Sequence, residues 1–159
     1  YLNDTDELKE EEQQEYELAI GKRAERVPLQ YIIGEQEFMG LPFAVNEHVL
    51  IPRQDTEVLV EEAIQILKNK MPDAEVLDLC TGSGCIGISI QSFCPDTKVT
   101  GADISKEALQ VAKHNALQNQ VPVSFVHSDL FSEISGNEKA RPVCVFTAKG
   151  ASGILAVPP

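Results

Sequence analysis

Gly82-Ser83-Gly84-Cys85-Ile86-Gly87 follows the spacing G-x-G-x-x-G, and three acids stand at matched places around it: Asp78, Asp103 and Asp129. Glycines at this spacing let backbone approach a ligand closely where a strand hands over to a helix. Two chemistries use such a turn. A dinucleotide rests its pyrophosphate on the helix amides and its ribose on a later acid, which makes a nicotinamide or flavin site one reading. Asp78 argues for the other. It stands four residues before Gly82 in an apolar run, where a carboxylate is costly unless a partner compensates it. Pyrophosphate repels that charge, whereas S-adenosylmethionine, cationic and without phosphate, is attracted by it. In this reading Asp78 faces the methionine end, Gly82 and Gly84 admit the ligand, Asp103 accepts from the ribose hydroxyls, and Ser128-Asp129-Leu130 lie beside the adenine. The plainer alternative for each acid is a cap or loop carboxylate, and tight strand–helix packing alone also selects glycine.

The elements that must position these residues form a repeating unit. Residues 76–79 read as a buried strand, followed by the glycine turn and a helix over Cys85–Phe93 that Pro95 stops. Residues 99–102 form a second strand ending in Asp103, and Ser105 caps a helix carrying Ala108, Leu109, Val111, Ala112 and Ala116. A third strand spans 121–126 and ends in His127-Ser128-Asp129. Strand and helix alternating in this way predict βαβ units, a parallel sheet and the α/β class. All three acids then fall at carboxyl ends of strands, where open α/β sheets bind ligands.

Upstream, Pro52 pushes Ile51 out of helical space, so residues 49–54 read as an extended connector. Asp55 or Thr56 then caps a helix bearing Val58, Leu59, Ala63, Ile64 and Leu67, ending before Pro72. Residues 30–33, 36–39 and 42–45 are short runs of β-formers broken by Gly34 and Gly40, which predicts a hairpin or meander. Residues 1–26 run from acid to base, as a helix macrodipole favours, but with a thin apolar stripe. Such a helix reads either as part of a larger helical unit or as a solvated, partly frayed terminal helix. At the other end, residues 142–147 are a strand candidate, followed by the small residues Ala148-Lys149-Gly150-Ala151-Ser152-Gly153.

Composition removes several classes. The formal net charge is −12, with pI near 4.6, which argues against a protein that tracks nucleic-acid phosphates. No run approaches the roughly 20 apolar residues of a membrane span, and no secretory leader opens the chain, so the expected location is cytoplasmic. Cys80, Cys85, Cys94 and Cys144 form no C-x-x-C, and no His, Cys or Asp cluster has metal spacing. Ser83 lies in no nucleophile elbow. His48, His114 and His127 are isolated and read as surface or capping residues. The first residue, Tyr1, reads as a start that is not the native one.

Residues 28–62, from Pro28-Leu29-Gln30-Tyr31 through Ile51-Pro52-Arg53-Gln54-Asp55-Thr56-Glu57, resemble the HemK/PrmC N5-glutamine methyltransferases of peptide chain release factors. The segments V-L-D-L-C-T-G-S-G, V-T-G-A-D-I-S and S-D-L-F continue the match in order, so that it covers roughly residues 16–139. The resemblance implies a Rossmann-like methyltransferase sheet preceded by a small helical domain that helps dock the release factor. On this basis the chain divides into a last helix of that domain (1–27), a β-hairpin linker (28–54), the first half of the methyltransferase domain (55–139) and an atypical tail (140–159). The resemblance implies S-adenosylmethionine contacts through Cys80, Thr81, Gly82, Ser83, Gly84, Asp103, Ile104, Asp129 and Leu130, beside the Asp78 already read from the strand. It places Pro52, Arg53, Thr56 and Glu57 at the pocket rim. Cys80 stands where many relatives carry glycine.

The family signature Asn-Pro-Pro-Tyr, at the end of the fourth strand, holds the substrate glutamine by accepting both amide N–H bonds. It is expected about ten residues after Lys139, from the usual length of strand connections. No such motif occurs there; Val157-Pro158-Pro159 is the nearest counterpart, and Val157 offers no side-chain acceptor. The expectation is therefore an incomplete, inactive member whose fourth strand, or whatever replaces it, is an open edge, leaving the chain poorly soluble, dependent on a partner strand, or disordered after about residue 139. Its partner would be the Gly-Gly-Gln loop of a release factor, with no direct contact to nucleic acid or membrane. A DNA adenine N6-methyltransferase, a non-catalytic S-adenosylmethionine-binding domain and a dinucleotide oxidoreductase stand as alternatives.

Overall fold

The computed structural model describes residues 9–134, 142–148 and 151–156. Helix α1 (Glu10–Ala24) keeps three glutamates in its first turn and Lys22 and Arg23 in its last, and it buries no residue. Residues expected to open the meander form a short helix, α2 (Leu29–Ile33), started at Pro28 and closed by Gly34 at φ +84°. Proline before the first turn and a left-handed glycine after the last are helix boundary signals, and here they outweigh the β-propensity of Tyr31, Ile32 and Ile33.

Strands β1 (Glu35–Phe38) and β2 (Leu41–Ala44) pair antiparallel across a two-residue turn, Met39-Gly40, with φ of +54° and +73°. Positive φ at both positions matches the twist of the flanking strands. Phe38 and Phe43 bury their rings edge-to-face, 6.2 Å apart at 77°. Helix α3 (Gln54–Lys70) follows, capped by neither Asp55 nor Thr56: its N-cap is Arg53, without a side-chain hydrogen bond. Its buried side is Val60, Ala63, Ile64 and Leu67, whereas Val58 is exposed.

The sheet contains β3 (Glu75–Leu79), β4 (Lys98–Asp103), β5 (Ser124–His127), β6 (Pro142–Ala148) and β7 (Ala151–Ala156), in the order β5-β4-β3-β6-β7. Helix α4 (Cys85–Phe93) joins β3 to β4, and α5 (Lys106–Gln118), capped by Ser105 as expected, joins β4 to β5. Strands β3 to β6 are parallel, so the chain leaves β3 to one side for β4 and β5 and then crosses back for β6. That reversal beside β3 is a topological switch point.

Along β3 the side chains alternate. Val76 joins the main core with Ile86, Ile88 and Ile90 of α4, Ala63 and Leu67 of α3, and Phe38 and Phe43 of the hairpin. Leu77 and Leu79 face the other way, toward Ala102 and Ile134. The fourth parallel strand is present as β6, and β7 pairs with it antiparallel, so its outer edge is not open as expected. Pairing with β7 supplies the backbone partners that were expected to be missing at that edge.

Candidate functional site

A cleft of about 490 Å³ lies over the carboxyl ends of β3 and β4. One wall is the glycine turn and the start of α5: Cys80, Thr81, Gly82, Ser83, Asp103 and Ser105 line it. The other is the segment after the hairpin, residues 47–53, with Tyr31 of α2 and Thr56 of α3. Among the residues named from sequence, the geometry brings Cys80, Thr81, Gly82, Ser83, Asp103, Pro52, Arg53 and Thr56 to one surface.

The turn is built by local bonds. Gly82 and Gly84 have φ of +55° and +81°, a region that side chains disfavour. A Cβ at Gly82 would meet nothing closer than the Cys80 carbonyl at 4.0 Å, so the space over it is open. A Cβ at Gly84 would lie 2.8 Å from Ile88 Cδ1 and 3.2 Å from Ala112 Cβ, which is a packing requirement. A Cβ at Gly87 would lie 3.0 Å from Asp78 Oδ2 and 3.1 Å from Val99 Cγ1, so the third glycine of the motif serves strand–helix contact.

Asp78 is fully buried and lies outside the cleft lining. Its Oδ2 accepts from Thr81 Oγ1 at 2.6 Å and from the Gly87 N–H at 3.0 Å, while Oδ1 has no hydrogen-bond partner. Burial pushes its carboxyl up to about 6, against the opposing effect of those two bonds and with help from the Asp103 charge. The strand alternation that puts Val76 on the helix side puts Asp78 there too, so it braces the turn from behind.

Asp103 holds the turn from the front. Oδ2 accepts from the Gly82 N–H at 2.9 Å and Oδ1 from the Ser105 N–H at 3.0 Å. Each carboxylate oxygen retains a lone pair for a ligand in the cleft. Burial raises the thiols of Cys80 and Cys85, the latter to about 12, so neither is a thiolate at neutral pH.

Other candidates lie elsewhere. Gly84 is the N-cap of α4, beneath the cleft surface. Ile104 is 64% exposed beside Asp103, and Asp129 and Leu130 are exposed on the turn after β5. Ser128 ties that turn to β4, its N–H donating to the Asp103 carbonyl and its hydroxyl to the Leu130 carbonyl. Glu57 turns to the hairpin, accepting from the Met39 N–H at 2.7 Å, where it supports a non-glycine residue at positive φ. Val157, Pro158 and Pro159 lie outside the described residues. The strand before them, β7, runs back until Ala156 pairs with Val143, away from the carboxyl end of β6.

Among the cleft residues that the sequence reading did not assign to a site are Tyr31, His48 and Ser105. Tyr31 Oη donates to the Val49 carbonyl at 2.7 Å and so holds the second wall. Asn46 could have flagged His48, since an Asn two residues earlier often turns the chain, and Asn46 Oδ1 accepts from the His48 N–H.

A family model described as Methyltransferase small domain matches residues 55–141, and one described as PrmC N-terminal domain matches residues 1–34. The chain belongs to the methyltransferase small domain family. Within it, the second match and the sequence relatives support the HemK/PrmC group. Release factor glutamine methyltransferase of Chlamydia trachomatis serovar L2 is 43% identical over 128 residues, 80% of this chain and 44% of that protein. Its counterpart in Leptospira interrogans is 44% identical over 142 residues, 87% of this chain and 50% of that one. The chain thus spans about half the length of the curated relatives it matches, or less. Among solved structures, Pyrococcus horikoshii TYW2 in complex with MeSAdo aligns with a TM-score of 0.55 at 14% identity, over 70% of this chain and 50% of that one. Ribosomal protein L11 methylase of Lactobacillus delbrueckii aligns at 0.50 and 18% identity, covering 64% of each chain. Both show the Rossmann-like methyltransferase fold. Among the described residues no cluster of His, Cys, Asp and Glu could hold a metal, and no helix is long and apolar enough to cross a membrane.

Proposed function

We propose that the cleft binds S-adenosylmethionine and that the protein this chain represents methylates the side-chain amide nitrogen of a glutamine in peptide chain release factors. One observation carries the cofactor choice. The amides of the glycine motif are already taken: Gly82 N–H by Asp103, Gly84 N–H by the Thr81 carbonyl, and Gly87 N–H by Asp78. A turn whose donors are answered by carboxylates offers little to a pyrophosphate, and its acidic surroundings suit a cation. This weighs against the dinucleotide reading. The open space over Gly82 and the spare acceptors of Asp103 fit an adenosyl ligand with a ribose to hold.

Bound there, S-adenosylmethionine supplies an electrophilic methyl group. The residues of this chain bind and orient: Asp103 accepts hydroxyl hydrogens, the turn grants close approach, and protonated Cys80 and Cys85 thiols do not compete for the methyl. The release factor as substrate rests on the names of the relatives. The PrmC N-terminal domain match and Tyr31, which reaches the cleft from α2 inside it, support a helical unit that takes part in the site. The 159 residues contain no Asn-Pro-Pro-Tyr, and β6 ends in Thr147 and Ala148 where the signature is expected. The chain as given therefore binds the cofactor without methylating glutamine.

Calorimetric titration with S-adenosylmethionine and with NAD tests the first part. Binding of the former alone is expected, weakened by Asp103→Ala by about 1.5–3 kcal/mol, the usual loss for hydrogen bonds to a charged acceptor. NAD binding, or an Asp103→Ala variant with unchanged affinity, overturns the cofactor reading. Transfer of a labelled methyl to a release-factor Gly-Gly-Gln loop by this chain would support the release factor as substrate and overturn the statement that the chain as given does not methylate glutamine. Transfer to duplex DNA would favour the adenine N6-methyltransferase instead.

A further inference from the structure

The two walls of the cleft meet at one side chain. Asn115 of α5 is fully buried, although an amide is costly to bury unless its groups are paired. Its Oδ1 accepts from the Ala44 N–H at 2.8 Å, and its Nδ2 donates to the Ala44 carbonyl at 3.1 Å and to the Ser83 carbonyl at 2.8 Å. The exchange with Ala44 imitates a neighbouring strand along the end of β2, just before the segment that forms the second wall. The bond to Ser83 grips the centre of the glycine turn, one residue from Gly82 and one from Gly84. Neighbouring Ala112, one turn earlier on α5, already packs where a Gly84 Cβ would go.

We infer that Asn115 is a positioning residue for the cofactor cleft: it ties the end of the hairpin to the glycine turn and so sets how far the start of the second wall stands from the first. The inference rests on the cofactor reading above and goes beyond it by naming what sets the cleft width. A residue that merely satisfies stray backbone groups in the core would contribute stability alone. A lock also makes ligand binding on the turn felt at Ala44, and by linkage the coupling is the same in both directions.

The test combines amide hydrogen exchange with calorimetric titration of S-adenosylhomocysteine, on the whole chain. In the wild type, ligand should slow exchange at the Ala44 amide as well as in the turn. Asn115→Leu keeps the branched shape and removes all three bonds, whereas Asn115→Asp keeps the acceptor for Ala44 N–H and sets a carboxylate oxygen against two carbonyls. Both should speed ligand-free exchange at Ala44 and at Gly84, and weaken affinity roughly tenfold at a temperature where they are folded. Faster exchange at Ala44 alone, or a lowered Tm with unchanged affinity, overturns the inference. Wild-type protection confined to the turn does so without any variant, should both substitutions prevent folding. If the wild type binds no S-adenosylhomocysteine, the cofactor reading falls instead, and ligand-free exchange at Gly84 decides the coupling. It should quicken in Asn115→Leu and not in Asn119→Ala, because the Asn119 side chain bonds the Pro42 and Asn115 carbonyls and not the turn. An unchanged rate in Asn115→Leu overturns the inference.

Discussion

The two walls of the cleft are held by different kinds of bond. On the sheet side most partners are close in sequence, Thr81 with Asp78, Gly84 with Thr81, Gly87 with Asp78 and Ser105 with Asp103, while Asp103 reaches Gly82 across 21 positions and Asn115 reaches Ser83 across 32. On the hairpin side they are distant: Tyr31 with Val49, Glu57 with Met39, Asn115 with Ala44, Asn119 with Pro42. A turn closed mainly by its neighbours needs little beyond its own strand and helix and the adjoining end of β4. A wall held by side chains up to 77 positions away exists only once the core has assembled. The sheet wall is thus the rigid member and the hairpin wall the adjustable one, unless substitutions show them failing together.

The largest test strikes the rigid wall. Gly84→Ala must adopt φ near +81° and place a methyl against Ile88 and Ala112, both fully buried. Left-handed strain plus overpacking should cost about 2–5 kcal/mol, read by urea unfolding. A loss below about 1 kcal/mol would mean that α4 and α5 yield easily and the wall is not rigid.

Asp78 comes next, and its signature is a pH dependence. Its native pKa of about 6 lies above the ordinary 3.8, so between those values the folded chain holds more protons than the unfolded one. Stability therefore falls as pH rises from about 4 to about 6 and levels off above, by on the order of 2–3 kcal/mol for this group. Asp78→Asn preserves an oxygen for Thr81 and Gly87 and removes the titration. The difference in unfolding free energy between wild type and variant should shift against the wild type across that window. Parallel curves would show that the carboxylate is not held in an apolar setting.

Tyr31→Phe probes the adjustable wall with a single oxygen. It leaves the Val49 carbonyl without its partner at 2.7 Å and should cost about 1–2 kcal/mol in stability. If the walls differ as argued, amide exchange quickens across residues 47–53 while Gly82 and Gly84 keep their rates. Quickening in both would make the cleft one cooperative unit held by more than Asn115.

The same distinction explains what the sequence could reveal. The βαβ order, the Cys85–Phe93 helix, the Ser105 cap and the glycine turn follow from local signals: alternation of apolar runs, a capping serine, glycines at positive φ. Asp78 was legible as an acid needing compensation, but not its direction, because the face it takes depends on which side of β3 the helices cover. Residues 30–33 misled because their propensity is for strand while Pro28 and Gly34 decide the outcome. The hairpin wall was legible through family resemblance but not through physics, since nothing near Val49 or Ala44 announces Tyr31 or Asn115. The pairing of β6 with β7 was missed because small residues give no periodic pattern.

The smallest expected effect concerns Cys80, where the family resemblance anticipates glycine. Size is not the difficulty, since the residue is exposed at the cleft. Its backbone is: φ is +60°, at the point where β3 gives way to the turn. An L-residue there carries left-handed strain of about 1–2 kcal/mol, while glycine escapes it and loses somewhat more chain entropy on folding. Cys80→Gly should therefore stabilise the protein by about 0.5–1 kcal/mol, read as a higher urea midpoint at unchanged slope. The gain belongs to the rigid wall and should leave amide exchange in residues 47–53 untouched. A destabilised variant would show that contacts of the Cys80 side chain outweigh the strain of its backbone, and the sheet wall would then depend on side chains as the hairpin wall does.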